Sequence, residues 1–359
     1  MAINFTTPFN IEDYGGSPSN EDNTTALADA ISAASGGNGY VYIPTAGDYI
    51  VDSVTIQSDC AIISNDGVNL VKPSSASNNR MLSSSADISN FHVYNTGFRN
   101  KRVAGLSTQS VIYLDGGNYE NIRVQSCNYD SATSLCNFVF IKTQASKTVN
   151  NIDFNYNTIV NCGRMAFEII NHDNTTNFNA TNVRTCANTI SNCSFMGVSI
   201  SGAVDGYFSV NNVLDDTGSV GFELVGTNNA TVAFNILKGS IASLISSSGG
   251  TFSTGLNIRL MRNMCNGIVD GRVFLSNAGN IYLLKNEWNI TGKVEFSGVD
   301  TSSSMLQDDV KSSATNAVIW DNSPNNSIDD STLDNSRAAS NFSIVRAINA
   351  SATGNSITN

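Results

Sequence analysis

Three short stretches set a polar side chain between two large apolar ones: FEI at Glu168, VSI at Ser199 and FEL at Glu223. Two carboxylates on one face suit hydrolysis of a glycosidic bond. One acts as a general acid with a raised pKa, and the other as a base that activates water. The stretch GRMAFEIINHD, Gly163 to Asp173, adds Arg164, Asn171, His172 and Asp173 around Glu168, in a chain with only 2 histidines. Glu168 and Glu223 are therefore the candidate catalytic groups, and Arg164, Asn171, His172, Asp173 and Ser199 the candidate substrate contacts. Arg164 fits either the orienting of a carboxylate or a place at a turn. The bland reading of each glutamate is a solvated surface residue, and which of the two is the acid is left open.

The elements that position these residues form a repeat. An alternating apolar strand, an Asn and a second apolar strand recur in NIDFNYNTIVNCG from Asn151, NVRTCANTISNCS from Asn182 and GYFSVNNVLDDTG from Gly206. NATVAFNIL from Asn229, NIRLMRNMC from Asn257 and NIYLLKNEW from Asn280 continue it. Alignment puts Asn157, Asn188, Asn212, Asn235, Asn263 and Asn286 in one column, at spacings of 31, 24, 23, 28 and 23 residues. The short-range period is two, so helical repeats are excluded. A strand–turn–strand unit of this length is one coil of a parallel β-helix, with coils stacked about 4.8 Å apart. Asn at such a corner can take the left-handed conformation and can bond to the amide one coil away. Cys162 and Cys193 each follow their column Asn by five residues, so their sulfurs are expected to stack inside. Glu168, Ser199 and Glu223 each stand 11 residues after their column Asn, with Phe167/Ile169, Val198/Ile200 and Phe222/Leu224 pointing into the core. The glutamates are then two coils apart, about 9–10 Å at their backbones. That spacing favours the inverting geometry, in which the carboxyls stand about 6.5–9.5 Å apart. Weaker coils precede these at Ile88–Phe98 and Tyr119–Asp130.

Composition narrows the function. A net charge of -11 argues against a nucleic-acid binder, which needs clustered Lys and Arg, and weighs less strongly against a polyanionic substrate unless a local basic patch overrides it. No apolar run approaches the length that crosses a bilayer, and the start has no basic region followed by an apolar stretch, so neither membrane insertion nor a secretory signal is expected. The 7 cysteines have no paired spacing and read as reduced, buried hydrophobes. No metal-ligand or cofactor signature occurs. His92 alternates with Phe91 and Val93 and reads as a surface strand residue. Glu295 and Asp270 read as surface, and Tyr207 and Trp288 as packing residues.

The opening segment, FNIEDYGGSPSNEDNTTALADAISAASGGNGYVYIPTAGDYIV, is different. Asp22 or Asn23 can cap a helix that runs to about Ala34, with Leu27 and Ile31 on one face and Gly36–Gly37 as its stop. Such a helix covers the open end of a solenoid. The segment resembles the start of the pectate-lyase-like superfamily as found in bacteriophage tailspikes. The likeness rests on Asp13–Tyr14–Gly15, Asp22–Asn23–Thr24, Ala26, Leu27, Ala30, Ile31, Gly37, Val41 to Pro44, Gly47 and Tyr49. With the coils behind it, it extends to about residue 300. The fold expected is all-β: a right-handed, single-stranded parallel β-helix with a short N-terminal capping helix. Residues 1–50 would form the cap and first strands, 51–300 the β-helix, and 301–359 irregular C-terminal coils or an irregular segment. The resemblance implies a depolymerase of bacterial surface (capsular or exo-) polysaccharide, a homotrimer on the phage tail or baseplate, made in the host cytoplasm and acting at the host surface. An N-terminal virion anchor and a C-terminal trimerisation domain are not recognisable, so an adaptor or a trimmed sequence is expected. GRMAFEIINHD also resembles a signature of the form GRxxxE-x-x-N-H in tailspike-like β-helix proteins, which implies a catalytic Glu168 and sugar contacts from Asn171 and His172. Two other readings stay open: a polysaccharide lyase, whose calcium ligands and basic residue are not visibly assembled, and a non-catalytic glycan-binding fibre.

Overall fold

Alternation in sequence becomes alternation in space. In NIDFNYNTIV the side chains of Ile152, Phe154 and Ile159 are buried, while Tyr156 and Thr158 are exposed. The computed structural model describes residues 5–76, 78–101, 109–131, 136–144, 146–170, 179–248, 257–276, 279–297, 303–321, 323, 325–336, 338, 345–348 and 355–358. The chain is a right-handed parallel β-helix. It divides into two units. The first holds residues 1–173 and 183–194, and the second residues 174–182 and 195–359.

Within each unit, like stacks on like in parallel register. In the first, Phe91 pairs with Ile122 and Ile122 with Ile152, while on the other sheet Tyr129 pairs with Ile159 and Ile159 with Ile190. In the second, one inward column runs Val198, Phe222, Ile245, Val273, Val294, Val318 and Val345. That column carries the coiling past residue 300, where the sequence had suggested irregular coils. The earlier coils expected at Ile88–Phe98 and Tyr119–Asp130 are present as strands Ile88–Tyr94, Gly97–Asn100, Tyr119–Gln125 and Asn128–Ser131.

The asparagine column forms amide ladders. In the second unit Nδ2 of Asn212, Asn235 and Asn263 donates to Oδ1 of Asn235, Asn263 and Asn286 at 2.9, 3.0 and 2.9 Å. The same Oδ1 atoms accept the backbone N–H of the preceding rung. In the first unit Asn157 donates to Asn188 in the same way. The corner itself differs from expectation. The left-handed residue is the one before each rung, namely Tyr156, Ala187, Asn211, Phe234, Arg262 and Lys285. The turn points these side chains outward, and the rung Asn can then lie buried with its amide along the stack. Asparagines that do take the left-handed conformation form a second ladder nearer the surface, with Asn151 donating to Asn121 and Asn121 to Asn90.

Helix α1 (Thr24–Ala34) buries Ala26, Leu27, Ala30, Ile31 and Ala34 against the first strands, as the apolar spacing predicts. Asn23 stands at its N-cap without a side-chain cap bond, because its Oδ1 instead accepts from the Ser17 N–H. Asp22 takes the Thr24 N–H. All seven cysteines are free, six of them buried. Cys162 and Cys193 lie side by side within the first unit, as their shared offset implied.

Candidate active site

Four neighbouring strands of the first unit, β1 (Arg80–Ser84), β2 (Gln109–Asp115), β3 (Cys136–Lys142) and β4 (Met165–Ile170), build the site. Their inward residues, such as Leu82, Ile112, Val139 and Phe167, are buried. The residues between them face the other way and stack in columns. Ser83 pairs with Tyr113, Tyr113 with Phe140, and Phe140 with Glu168. Two positions on, Asp115 pairs with Lys142 and Lys142 with Ile170.

Period-two alternation therefore holds at Glu168, since Phe167 and Ile169 are fully buried on the core side. Glu168 nevertheless does not stand in solvent, being only 2% exposed. Arg164 bonds both its oxygens, with Nη1 on Oε2 and Nη2 on Oε1 at 3.3 Å. Asn137 donates to the same Oε2 at 2.6 Å. Of the two roles open to Arg164, the geometry shows the orienting one. A guanidinium fork on a carboxylate fixes both partners in plane.

Beside this triad lies a cleft of about 420 Å³, lined by Asn79, Arg80, Tyr113, Phe140, Lys142, Arg164 and Ile170. Tyr113 and Phe140 stack with ring centroids 5.1 Å apart and planes 18° off parallel. The Arg80 guanidinium carbon sits 3.5 Å over the Tyr113 ring centre, a cation–π contact that holds it in place. Tyr113 donates its hydroxyl to Asp115 Oδ2 at 2.8 Å. Burial first, and then that bond and the charge of Asp115, push the Tyr113 phenol up to about 12, so it keeps its proton. The other carboxylate oxygen, Asp115 Oδ1, is buried and has no hydrogen-bond partner among the described residues. A buried acceptor without a donor costs free energy, so one held in place beside a cleft requires a reason.

Ser199 and Glu223 belong to the second unit, on β5 (Met196–Val210) and β6 (Val220–Asn228). They are register partners, and Ser199 Oγ donates to Glu223 Oε2 at 2.5 Å. The flanking Val198, Ile200, Phe222 and Leu224 are fully buried, and Ser199 itself is 1% exposed, with its hydroxyl on Glu223. Asn171, His172 and Asp173 lie outside the described residues. Elsewhere, His92 is not a surface residue: it is half buried, with Phe5 edge-on at 4.9 Å, and burial, then the charge of Arg123, pushes it down to about 4. Glu295 pairs with Arg272 and Lys293, and Asp270 accepts from Thr291. Among the described residues no cluster of three or more His, Cys, Asp or Glu could hold a metal ion.

Sequence reading did not single out Arg80, Tyr113, Asp115, Phe140 or Lys142. Their coils lack the column Asn, so no register could be assigned to them. The alternation of YLD and FVFIK was visible but uninterpreted.

No protein-family model and no curated protein matches the chain. Solved structures do. The N-terminal fragment of gene product 12 of bacteriophage Phi29 superposes with a TM-score of 0.61 at 12% identity, over 97% of this chain and 70% of that one. The Agl-KA catalytic domain matches with a TM-score of 0.51 at 13% identity, over 100% and 69%. DFA-IIIase from Arthrobacter chlorophenolicus A6, in complex with GF2, matches with a TM-score of 0.50 at 13% identity, over 96% and 98%. At these identities the likeness is one of fold, and the fold these chains share is the parallel β-helix.

Proposed function

We propose that the protein is a glycan-cleaving β-helix enzyme of the phage tailspike type, hydrolysing a bacterial surface polysaccharide in the cleft of its first unit. The observation that carries this is the cleft itself. An aromatic pair and hydrogen-bond donors line it, and two carboxylates bond to lining residues, Asp115 to Tyr113 and Glu168 to Arg164. Two strands across and two residues along, their backbones are about 12 Å apart by strand geometry. Glu168 is bound by Arg164 at both oxygens, so the departing glycosidic oxygen takes its proton from a cleft water rather than from a second carboxyl. Asp115 Oδ1, buried and unpartnered among the described residues, is the acceptor to which a water admitted from the cleft would give its proton. Glu168, committed to Arg164 and Asn137, sets the Arg164 guanidinium at the cleft wall. Glu223, which carries the single hydroxyl of Ser199, is the alternative carboxylate, in the second unit.

The neighbours of like fold agree with this reading, since they include a phage gene product, a catalytic domain and an enzyme in complex with GF2. Assembly as a homotrimer on a phage tail or baseplate belongs to the same proposal. Elimination is the second reading, favoured by the three cations around the cleft; against it, Tyr113 is held protonated and is a poor base. Digestion of a panel of purified capsular polysaccharides decides between them. New reducing ends without absorbance near 232 nm support hydrolysis, and absorbance there supports the lyase. No chain shortening with any polymer would leave a binding fibre.

A further inference from the structure

The net charge of -11 predicts a surface that repels acidic polymers, yet the cleft is lined by Arg80, Lys142 and Arg164. Against these three cations stand two carboxylates, Asp115 and Glu168, so the cleft carries one positive charge in excess. The pairing is uneven. Arg164 is bound to Glu168, whereas among the described residues no carboxylate lies within ion-pairing distance of Arg80 or Lys142. Lys142 is the register neighbour of Asp115 without lying within ion-pairing distance of it. Arg80 is braced over the Tyr113 ring, with Phe140 stacked below it, so the guanidinium is positioned before any ligand arrives. Two half-buried cations with no carboxylate partner among the described residues, in a cleft of about 420 Å³, form a receptor for a single anionic group on a ligand the size of a sugar.

We propose that this cleft binds a carboxylate-bearing sugar residue, with Arg80 and Lys142 holding the carboxylate and the Tyr113–Phe140 wall lying against the ring. The inference rests on the glycan-cleaving reading and names its substrate class as an acidic polysaccharide. One carboxylate matches the excess of one positive charge. A sugar phosphate dianion or a sulfated run would bring more negative charge past Asp115 than the cations balance.

The test uses the full chain on an array of capsular oligosaccharides that contain uronate, sialate or pyruvyl groups. Each is paired with its carboxyl-reduced counterpart, beside sulfated and neutral controls. Retention on at least one carboxylated glycan is expected, weakened at least about ten-fold by carboxyl reduction, a change that leaves the protein untouched. The double variant Arg80→Gln, Lys142→Gln should lose retention to a similar degree, whereas Arg259→Gln, an exposed cation of the second unit, should not. Retention on no carboxylated glycan, equal retention after reduction, or preference for the sulfated or neutral controls overturns the proposal. Cleavage of a neutral polymer alone would sink this inference while sparing the enzymatic reading. Retention of acidic glycans with no cleavage anywhere would do the reverse.

Discussion

In the second unit Asp308 follows four asparagine rungs, Asn212, Asn235, Asn263 and Asn286, and replacing it by asparagine should remove a weakness that grows with pH. In the rungs before it, Nδ2 donates to the carbonyl three residues ahead of the previous rung: Asn263 to Val232 and Asn286 to Leu260. By that rule a side chain at 308 meets the carbonyl of Leu283. A protonated carboxyl can satisfy that carbonyl, and a carboxylate cannot. Asp308 still accepts the backbone N–H and Nδ2 of Asn286. Burial outweighs those bonds and pushes its carboxyl from the ordinary 3.8 up to about 7. The folded chain therefore holds this proton more tightly than the unfolded chain does. Its stabilising contribution is complete below about pH 4 and is lost as pH rises through about 7. The gap between 3.8 and about 7 corresponds to about 4 kcal/mol. The assay is urea unfolding of wild type and Asp308→Asn at pH 4.5 and pH 8, followed by fluorescence of Trp288 and Trp320, both near this rung in the sequence. The advantage of the variant should grow by about 3 kcal/mol between the two pH values. Parallel pH dependence in the two proteins would refute the reasoning, because it would mean that Asp308 keeps its ordinary titration when buried.

Asn263→Ala removes the acceptor for the Asn235 N–H and Nδ2 and the donor to Val232, so unfolding should become easier by roughly 2–4 kcal/mol in denaturant titration. A loss under about 0.5 kcal/mol would mean that the ladder is incidental. Burial pushes the thiols of Cys60, Cys127 and Cys136 up to about 12, and only Cys186 is partly exposed. A thiol reagent at pH 8 should therefore modify one cysteine quickly in the native protein and all 7 after unfolding. Arg164→Ala strips Glu168 of its guanidinium partner. It should cost roughly 3–5 kcal/mol in unfolding if the pair is as buried as Glu168 indicates, and less if solvent reaches it through Arg164.

The fold was legible because a parallel coil repeats its constraints. The column Asn must bond to the next column Asn, and period-two alternation must restart at each coil, so Asn157 to Asn286 declared both pitch and register. The inward partners of Glu168, Ser199 and Glu223 followed from that register. Exposure did not, because it depends on side chains from neighbouring coils. Arg164 and Asn137 bond to Glu168, and Glu223 takes the hydroxyl of Ser199. The position of the left-handed residue was also hidden, since Tyr156, Phe234, Arg262 and Lys285 share no chemistry that announces it. The cleft was the least legible part. Tyr113 follows the rung Thr96, Phe140 and Lys142 follow the rung Cys127, and Arg80 comes from the coil before them, so their meeting could not be read from an Asn repeat.

The central claim is that a glycan is cut in the cleft of the first unit. The measurement that tests it most directly is the initial rate of chain shortening, on the polysaccharide the wild type degrades, for Asp115→Asn beside Glu223→Gln. If Asp115 acts as the base, its variant should fall at least about 100-fold in kcat while still binding the polymer. An undiminished rate in Asp115→Asn with loss in Glu223→Gln would contradict the account and move the chemistry to the second unit.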